Sequence, residues 1–486
     1  MVGMPSRRDS PLLVAFRIAT LFLAAVTMVN MRADPDLWGH VRFGLDILNM
    51  GHVADGPDPY SFTQDRPFIY HEWLGGTIMA LAYHIGGATG LAVLKALLVL
   101  SLVALVWFTL RHKQPLWRWA GVSIAIVGSL PLLVRLRPQL WTLLGVVAVC
   151  RILTSESRRA RWLLPLIFAL WANLHGGWIV GGGLVVVWTT VAFIQWRDDR
   201  GQLLLVGIAS LAATLLNPYG IGLWVFLAET VRLDRPNIAD WQPIWRAGTV
   251  AIAMWLVAAT TSVVSVVRRG PPSLATAIAL AGLAFGAARV LRLGPLFVLA
   301  TVVLLSRTWP NEDDSLPRVV SRPWVDAAVV AIAVMLGLWI QAIPRCIVIA
   351  TPDDGSYGPD VVAGESLKGS QGRLVTPFNW GEYALWHFGP TLKVSIDGRR
   401  ETLYADETVN SQAAILQGVP AGLAVLAQLN PDYVWLPALS EKTAEWLRAN
   451  GYREDIRTKH SFIAVRRDRA PLTVWQGQPS GCFPGP

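Results

Sequence analysis

A helix needs about 20 apolar residues to cross roughly 30 Å of hydrocarbon, fewer where the bilayer thins. Residues 11–343 of this 486-residue chain hold one apolar run after another near that length. By that ruler, spans are expected near 11–31, 88–110, 119–134, 138–152, 162–174, 178–196, 203–216, 248–267, 274–288, 295–306 and 324–343. The count is about eleven. The stretch 74–86 (LGGTIMALAYHIG) reads as an interfacial helix or a lead into the second span. The first run, PLLVAFRIATLFLAAVTMVN after MVGMPSRRDS, has the look of a signal peptide. It is too long for an h-region and has no clear small-residue cleavage site, so an uncleaved span is expected.

Charge separates the chain into two parts. Only 15% of its residues are charged, against about 25% in an average soluble domain. The deficit falls on residues 1–343, whereas 344–486 read as soluble protein. We therefore expect an α-helical polytopic membrane bundle over 1–343, with an external loop at 32–73, and a small α/β domain over 344–486. The net charge of +9 does not point to nucleic acid, because the arginines lie in short runs between apolar segments.

Those arginine runs set an orientation. Arg7 and Arg8 precede the first span and predict a cytoplasmic N-terminus. Loops 111–118, 151–161, 197–200, 268–269 and 307–323 should then be cytoplasmic, and each carries Arg or Lys. Loop 32–73, with seven acids and three arginines, should be external. An odd span count also puts the C-terminal domain outside. On this orientation seven motifs share the external side: DPDLW (34–38), HEWL (71–74), RLRPQ (135–139), NLHGG (173–177), NPYG (217–220), ADWQP (239–243) and RVLRLGP (289–295).

Each motif has a chemical and a plain reading. Asp34 and Asp36 can hold a divalent cation or take a proton from an acceptor hydroxyl; the plain reading is a helix cap or turn. Glu72, with His71, is a second acid or ligand, or simply an acid favoured by a helix N-terminus. His40 follows Asp36 closely, and Trp73 follows Glu72. Arg135, Arg137, Arg289 and Arg292 oppose the positive-inside trend. They can clamp a phosphate or pyrophosphate, or merely snorkel. Asn173 and His175 offer groups for a sugar hydroxyl or phosphate, or mark a glycine-assisted turn. Asp240 and Trp241 pair an acid with a stacking platform, and Asn217–Gly220 reads as a turn. Lys95 lies inside the second span, a depth at which charge is rare. Most of the 23 tryptophans fit interfacial belts.

The three cysteines, Cys150, Cys346 and Cys482, form no CxxC pair, so zinc and thioredoxin-type sites are not expected. Free thiols are the default, although Cys346 and Cys482 share a compartment. In the C-terminal domain, 372–378, 392–397, 432–437 and 461–466 read as strands, and 408–428 and 440–450 as helices. Its NWGEYALWHFGP and KVSIDGRRETLY segments concentrate aromatics with Asp397, Arg399 and Arg400. These suit either an acceptor site or packing with surface charge.

A multi-span bundle with an acidic first external loop resembles the GT-C superfamily of membrane glycosyltransferases. DPDLWGHVRFG, DPYSFT and HEWL, with NLHGG and NPYG downstream, are similar to a bacterial GT-C-like group over about residues 30–300. The resemblance implies a polyprenyl-phosphate-linked sugar donor, a lipid, glycan or protein acceptor, and a site facing membrane lipids at the outer face of a bacterial inner membrane. It implies that Asp34 or Asp36 deprotonates the acceptor or holds a metal, and that the arginines bind the carrier phosphate. Two other classes stay open: a transporter or flippase for a lipid-linked saccharide, and a non-catalytic envelope-assembly subunit.

Overall fold

The computed structural model describes residues 11–29, 31–53, 56–232, 235, 238–312, 346–352 and 358–486. The chain forms two compact units, Met1–Met31 with Ala92–Arg345 and Arg32–Leu91 with Cys346–Pro486. Loop 32–73 and the helix after it thus group with the C-terminal residues, whereas the hydropathy boundary near 343 had set them with the bundle.

Among the described residues, twelve α-helices precede residue 312: α1 (Pro11–Val29), α2 (Leu37–Met50), α3 (Trp73–Leu110), α4 (Pro115–Leu133), α5 (Gln139–Thr154), α6 (Leu164–Leu174), α7 (Trp178–Ile194), α8 (Arg200–Ala213), α9 (Gly222–Arg232), α10 (Thr249–Arg269), α11 (Leu274–Arg289) and α12 (Gly294–Leu305). α3 leaves helical geometry at Gly86 and Gly87, where Gly87 takes φ 57°. Only a residue without Cβ adopts that conformation cheaply. The break separates the stretch 74–86 from the span expected at 88–110.

The protein is a multi-pass membrane protein. Trp73–Leu110, Pro115–Leu133, Thr249–Val267 and Leu291–Thr308 are long and apolar enough to cross. Five other apolar helices among the described residues have 10–17 residues. The structure therefore gives four full-length spans among the described residues where the sequence suggested eleven. The spans expected at 162–174 and 178–196 form helices of 11 and 17 residues on either side of His175–Gly177. The span expected at 324–343 lies outside the described residues, as do Arg7 and Arg8.

In the first unit α12 is the central post. Every residue from Pro295 to Leu305 is buried, as expected of a helix apolar on all sides. It packs against α4, α5, α10 and α11. Gly128 lets α4 approach closely, since a Cβ there would sit 2.4 Å from Val298 Cγ1. Small residues at such crossings replace a hydrophobic driving force with close packing. Loops expected to be cytoplasmic touch one another. Lys113 Nζ donates to Asn311 at 2.7 Å, Arg307 lies 4.0 Å from Glu156, and Arg161 pairs with Asp199 at 2.8 Å. Loops expected to be external do likewise: Asn173 Nδ2 donates to the Leu216 carbonyl at 2.8 Å, and Leu291 N to that of Gln242 at 3.0 Å.

The second unit carries a five-stranded sheet of order β4–β3–β5–β7–β6: β3 (Gly372–Val375), β4 (Leu392–Val394), β5 (Tyr433–Pro437), β6 (Tyr452–Arg457) and β7 (Ser461–Arg466). β3 pairs in parallel with β4 and β5, and β7 runs antiparallel to β5 and β6. Val375, Val434, Leu436, Phe462 and Ala464 form a core with Ile415, Leu426 and Leu447 from the covering helices. The helix expected at 408–428 is two, Asp406–Gln417 and Pro420–Leu429, bent by 110°. Gly418 ends the first in the left-handed region, and Pro420 opens the second. Ile415 and Leu426 face the sheet core, so this apolar pair is packing and not a span. Strand β6 and a helix over Phe378–Phe388 are additions to the sequence reading.

Two short strands complete this unit. β1 (Arg32–Ala33) pairs in parallel with β2 (Val348–Ile349). Ile349 N donates to Gly481 O and Phe483 N to Ile347 O, at 2.9 and 2.8 Å. This pairing joins Cys346 to Cys482 in a disulfide, which corrects the expectation of free thiols. The 136 residues between them hid the juxtaposition. Cys150 is free and buried.

Candidate active site

The DPDLW motif forms the start of α2. Leu37 N donates to the Asp34 carbonyl at 2.9 Å, and Asp36 N to Asp34 Oδ1 at 3.2 Å. Asp34 is buried, and Asp36 is half-buried at the cap position of α2. Asp36 makes no side-chain cap bond to its helix. Trp38 is fixed nearby: its Nε1 donates to the Pro484 carbonyl at 2.7 Å, and its ring meets Tyr383 edge-on at 5.5 Å.

A carboxylate absent from the sequence expectations completes this corner. Glu382 lies in helix Phe378–Phe388 and is 4% exposed. Its Oε2 accepts from Gly39 N at 2.9 Å. Three glycines make room for it. A Cβ on Gly39 would fall 2.3 Å from the Glu382 carboxyl carbon. One on Gly398 would fall 2.5 Å from Glu382 Oε1 and 2.7 Å from Asp36 Oδ1. One on Gly381 would meet the Ile396 carbonyl at 2.1 Å. Burial, then Asp36 and then Asp397 push the Glu382 carboxyl well above the ordinary carboxylate range, while Gly39 N–H and Arg399 pull the other way. The motifs WGE and DGR quoted above hold two of these glycines, yet only the fold reveals what they enclose.

Behind this pair lies a buried ionic cluster. Arg399 Nε donates to Asp397 Oδ1 at 2.9 Å, and its Nη2 to Asp397 Oδ2 at 2.7 Å and Asp58 Oδ2 at 3.0 Å. Arg399 Nη1 also bonds Asp58 Oδ1. The guanidinium sits over Phe43 and Phe68, at 4.7 and 4.9 Å. Tyr404 Oη donates to Asp397 at 2.9 Å. Burial lowers the Arg399 guanidinium, but Asp397 and Asp58 outweigh it and hold it well above its usual range. Asp58 in turn accepts from Tyr60 N and Ser61 N, so the cluster ties the segment after α2 to the C-terminal domain. For Asp397 and Arg399 the packing reading is the one these contacts describe.

The HEWL motif meets α2 at His40, the residue after Gly39. Glu72 is buried between His71, at 3.3 Å, and His40, at 3.9 Å. His40 Nδ1 lies 3.4 Å from Tyr70 Oη. Trp73 packs on the Phe43–Tyr60–Tyr70 cluster. Among the described residues, no group of three or more His, Cys, Asp and Glu side chains is disposed to hold a metal ion.

In the first unit, Arg135, Arg137, Gln139, Asp240 and Arg292 line one shallow open cleft with Pro131 and Leu132. Trp241 stands beside it, with the Arg235 guanidinium 4.0 Å over its ring and that of Arg292 at 5.9 Å. Arg289 is exposed at the end of α11 and does not line this cleft. Lys95 Nζ donates to the Val134 carbonyl, one residue before Arg135, at 3.1 Å. A donor there meets one of the carbonyls that a helix end leaves open. Asn173 Nδ2 donates to Ala169 O and Leu216 O. His175 Nδ1 lies 2.6 Å from Thr142 Oγ1 and accepts from Gly177 N. These bonds hold the NLHGG turn. Asn217 closes its own turn, accepting from Tyr219 N at 2.7 Å.

No protein-family model and no curated protein matches the chain. Solved structures do. The oligosaccharyltransferase of Archaeoglobus fulgidus in its apo form aligns with a TM-score of 0.56 at 12% identity, over 88% of this chain and 71% of that one. ArnT from Cupriavidus metallidurans bound to undecaprenyl phosphate aligns with a TM-score of 0.51 at 12% identity, over 93% of this chain and 97% of that one. The apo state of the same ArnT gives 0.50 at 13% identity over the same shares. The chain has the fold of these GT-C membrane enzymes.

Proposed function

We propose that the chain is a membrane glycosyltransferase that moves a sugar from a polyprenyl-phosphate carrier to an acceptor hydroxyl. The observation that carries this reading is Asp36, held outside its own helix cap and beside a buried second carboxyl. Likeness in fold to an ArnT bound to undecaprenyl phosphate supports the donor class.

The step needs a base and a phosphate clamp. The acceptor oxygen attacks the anomeric carbon as its proton passes to Asp36, with Asp34 the alternative base. The bond from that carbon to the phosphate oxygen breaks, and polyprenyl phosphate leaves carrying the electron pair. For the first unit taken by itself, Arg135, Arg137 and Arg292 are proposed as a bidentate binding site for a phosphate group. Asp34 and Asp36 are also where a divalent ion would be held. They supply two side chains toward the six or more oxygen ligands such an ion takes, and no step above depends on it. Glu72, His40, His71, Trp73, Asp240, Trp241, Asn173, His175 and Arg289 are proposed to contribute only to binding or shape.

The disulfide Cys346–Cys482 fits an oxidising compartment. With the arginine-bearing loops facing the cytoplasm, it supports activity at the extracytoplasmic face of a bacterial inner membrane. The test is transfer of radiolabelled sugar from polyprenyl-phosphate donors by the purified chain in proteoliposomes. Asp36→Asn and Asp34→Asn should each abolish transfer and leave membrane insertion unchanged. Full activity in both variants sinks the assignment. Movement of carrier lipid across the bilayer without any transfer product would instead favour a flippase.

A further inference from the structure

We propose that Glu382 is a positioning residue that takes over the capping of α2 from Asp36 and so aims Asp36 at the reacting hydroxyl. This rests on the glycosyltransferase reading, in which Asp36 is the base.

The first N–H groups of a helix have no partner within it and draw acceptors from outside. An Asp at the cap position ordinarily supplies one, by bonding the N–H two or three residues on. Asp36 has that position and composition, yet it makes no such bond. The N–H three residues on, that of Gly39, goes to Glu382 Oε2 at 2.9 Å. That oxygen comes from a residue 343 positions away. The Glu382 carboxyl thus takes the N–H that a capping Asp36 would take, while Asp36 itself holds helical dihedrals of φ −81° and ψ −5°.

The surroundings are built for this exchange. Glu382 enters where Gly39 has no side chain, and Gly398 leaves a gap in which Glu382 Oε1 and Asp36 Oδ1 both lie. Gly381 lets the helix carrying Glu382 press against the backbone at Ile396 and Asp397. At each of the three glycines even one methyl group would displace backbone or carboxyl. Glutamate has the reach to cap from a neighbouring helix, and an amide oxygen can accept the same bond.

The experiment compares Glu382→Ala and Glu382→Gln in the full chain in proteoliposomes. Gln keeps the acceptor for Gly39 N–H, so Glu382→Gln should retain kcat within about threefold of wild type. Glu382→Ala should lower kcat by at least tenfold with little change in donor KM, because Asp36 turns back onto its helix. Full activity in Glu382→Ala overturns the proposal, as does Glu382→Gln falling as low as Glu382→Ala. A second readout is independent of catalysis: a structure of Glu382→Ala should show Asp36 bonded to the Gly39 N–H. If the wild type transfers no sugar from any donor tried, the functional reading has failed. The capping exchange then stands or falls on that structure alone.

Discussion

Arg399→Met removes the positive centre of the second unit while keeping most of its side-chain volume. Its guanidinium meets Asp397 and Asp58, whose side chains are 0% and 3% exposed. Removing one partner of a buried pair costs about 3–5 kcal/mol, because the charge left behind is neither solvated nor compensated. The methionine side chain still covers Phe43 and Phe68, so little apolar burial is lost. A unit of about 200 residues shifts its Tm by roughly 2–4 °C per kcal/mol. The expected fall is therefore roughly 6–20 °C. Thermal unfolding in detergent, followed by tryptophan fluorescence, reads it directly. Arg400→Met is the control. Arg400 lies 5.2 Å over Phe378, a contact worth about 0.5–1 kcal/mol at a partly exposed site. Adding Asp58→Asn to Arg399→Met should cost less than the two single effects summed, since the first change already strands the carboxylate. If Arg399→Met unfolds within about 2 °C of wild type, the cluster does not hold the segment after α2 in place.

Gly398→Ala puts a methyl between the Asp36 and Glu382 oxygens; transfer should drop at least tenfold, whereas Gly56→Ala, with open space around it, should be silent in the same assay. The raised Glu382 carboxyl gives a pH signature. Its protonated form contributes stability that is complete below its unfolded value of about 4.3 and is lost as pH rises through the raised folded value. Glu382→Gln cannot titrate, so its Tm relative to wild type should climb as pH rises above about 4.3; a flat difference would contradict this. Cys346→Ser should destabilise the second unit by about 2–4 kcal/mol and loosen the segment carrying Pro484, seen as faster hydrogen exchange at 481–484 and mimicked by reductant on wild type. Arg135→Ala and Arg292→Ala should raise donor KM several-fold with a smaller effect on kcat; unchanged KM in both would remove the cleft from the phosphate role.

Three of the four arginines expected together, Arg135, Arg137 and Arg292, line one cleft, and Arg289 does not. Arg135, Arg137, Asp240 and Arg292 each flank an apolar run, and helices that alternate across a bilayer must return such ends to a common side. Lys95 was visible as an anomaly in the second span, but its partner was not. A backbone carbonyl has no residue-type signature, and Val134 lies 39 positions away. The break at NLHGG was legible, because the glycines interrupt the apolar run between 174 and 178, where the two helices end and begin.

The second carboxylate was hidden by distance of another kind. Asp34 and Asp36 stand out because two acids follow an apolar run. Glu382 stands in an aromatic stretch, NWGEYALWHF, where a single acid looks like surface charge. What distinguishes it is three glycines at 39, 381 and 398, and no local pattern joins them. Each alone reads as a turn or helix-breaking residue, and Gly39 and Gly381 in fact lie within helices, where glycine costs about 0.5–1 kcal/mol relative to alanine. Glycine retained inside a helix at that cost marks a close approach. Here the approaching group is a buried carboxyl at Gly39 and the Ile396–Asp397 backbone at Gly381. A sequence reading that asked why α2 and the NWGEY helix each carry glycine beside their acid would have brought Asp36 and Glu382 under one question, even without their distance.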